Sequence, residues 1–262
     1  MRKDYVITED VAEDETRFVE RYWTQVWESA GGPKGRAARI PHQDEFRVIA
    51  PHLASLPKGA RILDGGCGLG DWALYLHGQG FAATGLDLSA QTVAKLQAGY
   101  PHVEFAAGDL RATPFPDGHF DAYLSWGVFE HFEAGPGECL REALRILRPG
   151  GLLFVSVPLE NLRLRVIDFF DRPRPVADNQ RFYQYRFTRD ELARELSQAG
   201  FETVSIHAIH KRQGVLRCLH HQFWLPYELR LTRALAFALS PFVPGSWMAH
   251  MQLAVARKPS AS

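Results

Sequence analysis

Two acids and a run of alternating glycines carry the chemistry legible in this chain. Residues 61–70 read RILDGGCGLG, an apolar strand passing into Asp64-x-Gly66-x-Gly68-x-Gly70. Glycines so spaced let bare backbone approach a ligand at the carboxyl edge of a sheet, where doubly wound α/β folds bind nucleotides. Asp87, ending the next strand-like run, can accept two ribose hydroxyls on one carboxylate, although an acid there also serves as a turn cap. Gly68, Gly70 and Ala73 satisfy the permissive dinucleotide pattern as well, with Asp87 where a dehydrogenase places its ribose-binding acid. Charge separates the two readings. A pyrophosphate binds a helix N-terminus free of anions, whereas Asp64 and Asp71 flank this loop. Acids there suit a cationic ligand without phosphates, and S-adenosylmethionine has that chemistry in its ammonium and sulfonium.

Four segments follow in order: LDGGCGLG (63–70), TGLDLS (84–89), AAGDLRATPFPDGHFDAYLSWGVFEHF (106–132) and LRPGGLLFVSVP (147–158). Together they resemble the class I S-adenosylmethionine-dependent methyltransferases, near the ubiquinone and menaquinone biosynthesis type (the methyltransferase type 11 group). The resemblance implies that Asp64 holds the loop amides or the ligand's ammonium, with Gly66, Gly68 and Gly70 against its methionine half. It implies Asp87 and Leu88 at the ribose, Asp109 at the adenine amine, Leu110 on the adenine ring, and Ser125 and Trp126 near the sulfonium. S-adenosylhomocysteine would be the product. His131 follows, able to take a proton from the acceptor or to hydrogen-bond locally with Glu130 at a helix start. Methyl transfer is an in-line displacement in which orientation supplies much of the acceleration, so a base is optional.

The elements that must position these groups alternate strand and helix from residue 61. Strands are expected at 61–66, 82–88, 103–107, 120–126, 152–157, 201–209 and 251–256. The fold class is therefore α/β, a doubly wound, mostly parallel seven-stranded sheet, and the resemblance implies an antiparallel last pair at one edge. Leu140, Ala143, Leu144 and Leu147 give one helix an apolar face; Arg145 and Arg148 complement its end, and Pro149-Gly150-Gly151 terminates it. Thr188-x-x-Glu191 is a capping box for a later helix that Gly200 ends. Residues 1–57 form a helical extension or lid with a Gly31-Gly32-Pro33 break. Residues 58–262 form the catalytic domain, with insertions at 159–187 and 210–248. Trp23 and Trp27, four apart, are a packing face or a lid over the ligand. Tyr183 and Tyr185 are substrate contacts or the alternation of a half-exposed strand.

Composition narrows the class. The chain has 262 residues, 46% apolar, with 30 basic and 30 acidic side chains. One elaborated domain is expected, without a global field for nucleic acid or an anionic membrane. Cys67, Cys139 and Cys218 are widely spaced, as in a reducing cytoplasm. The histidines at 207, 210, 220 and 221 lack ligand spacing, so no metal is assigned. The stretch 210–248 is apolar on nearly all sides beyond Arg233. Such a helix is expected to be buried, in the core, a partner copy, a peripheral lipid contact or a greasy pocket. The reading is a methyltransferase acting on O, N or C of a small, bulky or lipophilic acceptor. Its rivals are a lipid-methylating enzyme of cyclopropane-synthase type, an NAD-dependent oxidoreductase and a non-catalytic S-adenosylmethionine-binding module.

Overall fold

The computed structural model describes residues 1–8, 11, 13–29, 31, 36–170 and 177–260. Gly32 and Pro33 of the expected break lie outside them. Apolar runs at β2 (Arg61–Gly65), β3 (Ala82–Asp87), β5 (Phe120–Trp126) and β6 (Leu147–Pro158) are buried on both faces, as central parallel strands must be. With β4 (Glu104–Ala107), β8 (Glu202–Ile209) and β9 (Met251–Arg257) they form one seven-stranded sheet. Its order is β4-β3-β2-β5-β6-β9-β8. Only β9 runs against its neighbours, pairing antiparallel with β6 and β8.

Helices α2 (Asp44–Ala54), α3 (Asp71–Gly78), α4 (Ala90–Gly99), α5 (Gly137–Ile146) and α7 (Arg189–Gln198) belong to the same frame. Thr188 and Glu191 make the expected reciprocal cap of α7. The stop of α5 differs from expectation. The helix ends at Ile146, and Pro149-Gly150-Gly151 lies within β6. Arg145 turns back to Glu142, Asp117 and the Phe115 carbonyl, and Arg148 pairs with Asp121. Specific carboxylates and carbonyls outcompete the diffuse field of the helix end for these guanidinium groups.

The N-terminal segment is not wholly helical. Before α1 (Glu15–Ser29), Arg2–Ile7 forms strand β1, paired antiparallel with β7 (Gln180–Arg186) in a separate two-stranded sheet. The insertion after β6 thus contains α6 (Leu162–Phe170) and β7. The insertion before β9 folds as α8 (Lys211–Phe223), α9 (Arg230–Leu239) and the short α10 (Gly245–Met248). Of the places expected to bury its apolar stretch, the core takes only part: within α9, Thr232 and Ala236 are buried, but Leu231 and Phe237 are about two-thirds exposed (64% and 67%). No helix among the described residues is long and apolar enough to cross a membrane.

Candidate active site

The glycine loop takes its shape from what lies against it. Gly66 and Gly68 have φ of 76° and 51°, which side-chain-bearing residues rarely adopt. A Cβ on Gly66 would lie 2.4 Å from Val128 Cγ2, and one on Gly68 would lie 2.7 Å from Trp27 Cζ2. Backbone geometry and close approach each demand glycine. Gly70, also at positive φ, is the N-cap of α3.

Two buried carboxylates hold this loop. Asp64 accepts the Ala73 N–H at 3.1 Å in the first turn of α3. Asp87, at the end of β3, accepts the Gly68 N–H on Oδ2 at 2.8 Å and the Ser89 N–H on Oδ1 at 3.0 Å. Burial pushes the Asp64 carboxyl up to about 7; the Ala73 hydrogen bond opposes this, and Asp87 and Asp71 add to it. Burial raises Asp87 too, against the bonds from Ser89 and Gly68. Neither acid has a basic side-chain partner among the described residues. A cationic ligand would favour their ionised forms, and this is the respect in which the site fits S-adenosylmethionine.

Beside the loop opens a cavity of about 690 Å³. Its floor is the carboxyl edge of the sheet, through Gly66, Asp87, Leu88, Asp109, Leu110 and Trp126. Its roof is α1, through Val19, Glu20, Trp23 and Trp27, and His131 closes one side. Of the other expected cofactor residues, Asp64, Gly68, Gly70 and Ser125 do not line it. Ser125 is fully buried, and its Oγ has no hydrogen-bond partner among the described residues. Trp126 packs against Trp72 with ring centroids 5.2 Å apart.

Asp109 has a competitor for its carboxylate. Arg111 Nε lies 3.1 Å from both oxygens and Nη2 lies 2.6 Å from Oδ2. Burial alone would raise this carboxyl, but the Arg111 bonds hold it below its ordinary value. The same guanidinium donates to Glu15 Oε2 at 2.9 Å and Thr16 Oγ1 at 2.8 Å. Arg111 therefore fastens α1 to the cavity rim. A second tie joins Thr24 Oγ1 to Ser89 Oγ at 2.7 Å, and Trp23 stacks on Trp27 at 5.3 Å.

His131 lies in a 3-10 turn, Phe129–His131, rather than at the start of an α-helix. Its Nδ1 is 2.7 Å from the Tyr183 carbonyl oxygen. A carbonyl only accepts, so in the neutral ring Nδ1 carries the proton and Nε2 keeps its lone pair. Burial depresses this imidazole to about 4, against the carbonyls of Tyr183 and Gly127. Tyr183 packs its ring on His131 at 5.0 Å. Tyr185 is instead buried in the core and donates its hydroxyl to the Glu133 carbonyl at 2.8 Å, away from the cavity. No residue of 210–248 lines this cavity among the described residues. Glu20, a roof acid without a partner among the described residues, escaped the sequence reading; only its phase with Trp23 and Trp27 on one helix face could have exposed it.

The buried groups set a pH dependence. Glu130, fully enclosed, is raised by burial to about 8. Asp64 and Glu130 keep protons in the native state that the unfolded chain releases near 4, so their stabilisation fades as pH rises to about 8. His131, and His250 at about 4, work in the opposite sense: the unfolded chain takes up their protons below about 6.5, so stability rises with pH up to that point. The two slopes offset each other below pH 6.5, and above it the acids act alone. The unfolding free energy is expected to fall by about 2 kcal/mol between pH 6.5 and 8.5. Denaturant titrations across that range check it, and a rise would contradict the protonation assigned to Glu130.

A family model for a methyltransferase domain matches residues 41–206, which span the whole loop, the floor and His131. The chain belongs to the S-adenosylmethionine-dependent methyltransferase family. It is 32% identical over 155 residues to the probable S-adenosylmethionine-dependent methyltransferase of Mycolicibacterium smegmatis, covering 59% of this chain and 57% of that one. It is 38% identical over 113 residues to the 2-methyl-6-phytyl-1,4-hydroquinone methyltransferase of Synechocystis, covering 40% and 34%. The chain thus spans about half or less of these relatives' length. The fold is similar to that of the 1,6-didemethyltoxoflavin-N1-methyltransferase of Burkholderia thailandensis, solved with bound 1,6-didemethyltoxoflavin and S-adenosylhomocysteine. The TM-score there is 0.60 at 20% identity, over 99% of this chain and 96% of that one. Strand β1 and the roof helix α1 precede the domain match, which begins at residue 41 and contains their partners β7 and Arg111.

Proposed function

We propose that this protein moves a methyl group from S-adenosylmethionine to an O, N or C nucleophile of a small, bulky and largely apolar acceptor, in the cytoplasm. The observation that carries this reading is the division of one cavity between acids and aromatics. Asp87 and the glycine loop offer acceptors and close backbone for a cationic nucleoside, while Trp23, Trp27, Trp126, Val128 and Phe132 offer an apolar wall. When bound, the cofactor supplies an electrophilic methyl carbon. The chain's residues hold the acceptor in line with it and exclude water beneath α1. His131 Nε2 is assigned to receive the acceptor's proton as the new bond forms. The acceptor of the Synechocystis relative, a hydroquinone bearing a phytyl chain by its name, agrees with an apolar wall.

Titration calorimetry tests the cofactor. Binding of S-adenosylhomocysteine without binding of NAD is expected; the reverse would return the loop to an oxidoreductase. For His131→Ala, turnover on a responsive acceptor is expected to fall about 10²-fold while S-adenosylhomocysteine affinity stays constant. Unchanged turnover would remove His131 from the chemistry and leave orientation as the whole mechanism.

A further inference from the structure

The two insertions leave an apolar surface uncovered. Helices α6 and α8 each pack against α10, and α8 also packs against α9. Even so, Phe169, Phe170, Phe223, Trp224, Phe242 and Trp247 are each more than half exposed. Trp224 is 87% exposed and sits at φ 58° directly after α8. A bulky residue in the left-handed region is strained, and here the strain presents a whole indole to solvent.

Charge accompanies these rings. A cavity of about 810 Å³ lies between α6, β7 and α8. Arg163 and Arg217 line it, and neither has a carboxylate partner among the described residues. Arg163 Nη1 donates to Gln222 Oε1 at 2.7 Å, next to Phe223 and Trp224, while its buried Nε has no hydrogen-bond partner among the described residues. Arg217 Nη1 lies 2.9 Å from His250 Nε2. The acids that line the same cavity, Asp4 and Asp168, are taken by Arg186 at 3.0 and 3.2 Å. Burial, and then the charges of Arg217, His210 and Arg163, depress His250. Across 211–248, Lys211, Arg212, Arg217, Arg230 and Arg233 face the single acid Glu228. The chain is neutral as a whole, but this segment is not.

We propose that this face seats on an anionic lipid bilayer, its exposed aromatics in the interfacial layer and a lipid phosphate drawn to Arg163 and Arg217. Exposed Trp and Phe beside Arg and Lys match the two requirements of an interfacial segment, apolar insertion and attraction to anionic headgroups. A symmetric pairing of two copies would set the same arginines against each other, which disfavours a second chain as the occupant. The surface is separate from the methyl-transfer cavity, so its test needs no turnover.

The test is sedimentation of the full chain with phosphatidylcholine vesicles, pure or containing roughly one-third phosphatidylglycerol. Binding to the anionic vesicles is expected, with at least about tenfold weaker partitioning onto the neutral ones. Phe223→Ser with Trp224→Ser, and separately Arg163→Gln with Arg217→Gln, are each expected to lower partitioning at least about tenfold at unchanged S-adenosylhomocysteine affinity. If the arginine pair proves to unfold the protein, the exposed Arg230→Glu and Arg233→Glu carry the same test. Four results would overturn the proposal: no vesicle binding, equal binding to both compositions, a stable dimer in light scattering that the aromatic substitutions dissolve, or release by inorganic phosphate where chloride of equal ionic strength has no effect. The last would make the cavity a site for free phosphate.

Discussion

Asp87→Asn is expected to weaken S-adenosylhomocysteine binding about 10²-fold and to lower the melting temperature by a few degrees. The two effects have separate causes. In the native protein the two carboxylate oxygens each accept a backbone N–H, from Gly68 and from Ser89. An amide has one oxygen, so one of those buried donors would face an NH2 group, at a cost of about 1–3 kcal/mol with or without ligand. That part appears in the melting temperature. The ligand then loses a charge-assisted bond at the ribose, about 1.5–3 kcal/mol, and meets a glycine loop no longer held at Gly68. Each 1.4 kcal/mol is tenfold in affinity, which gives the figure. Asp109→Asn should cost far less, because Arg111 already occupies both oxygens of that acid. Calorimetry on the two variants decides the matter: if Asp109→Asn is the more damaging, the ribose assignment of Asp87 fails.

The second large effect concerns the roof. Trp23→Ala combined with Trp27→Ala is expected to reduce turnover about 10²-fold, with a smaller loss of S-adenosylhomocysteine affinity. Trp27 lies over Gly68, and Trp23 rests on the His131 ring at 5.3 Å. Removing both opens the cavity to water and frees the imidazole proposed to receive the acceptor's proton. If the pair served only to pack α1, melting would suffer and turnover at low temperature would not. Steady-state rates measured well below the melting temperature separate the two roles.

The sheet was legible in the sequence because its signals are local. Apolar runs such as Leu152–Val157 and the Thr188–Glu191 cap declare themselves within a few residues, and the glycine loop declares the cofactor edge. What remained hidden depends on partners distant in the chain. Nothing near Asp109 says that Arg111 will hold it, since the guanidinium is aimed by Glu15 and Thr16 on a helix nearly a hundred positions earlier. Tyr183 and Tyr185 look equivalent by type and spacing, yet one backs His131 and the other fills the core. Strand β1 offers only Tyr5, Val6 and Ile7 after three charged residues, an apolar run too short to declare a strand. The exposure of α9 ran against its composition, because hydrophobicity tells how much apolar surface exists and not whether the fold covers it.

The β1–β7 pairing has a consequence for how this molecule is made. Asp4 and Gln184 meet across it from 180 positions apart. At roughly 5–20 residues per second, the ribosome emits the first of these strands about ten to forty seconds before the second. Through that interval β1 has no strand to pair with, and α1 has neither Arg111 nor Ser89 to grip until those too emerge. Strands β2 to β6, built from nearer neighbours in the chain, can pair meanwhile, while β8 and β9 emerge only after β7. The two-stranded sheet is therefore a late arrival in biogenesis, and a nascent chain halted before β7 would carry the glycine loop, Asp87 and the Arg111 and Ser89 ties of α1, but a β1 with nothing to pair with.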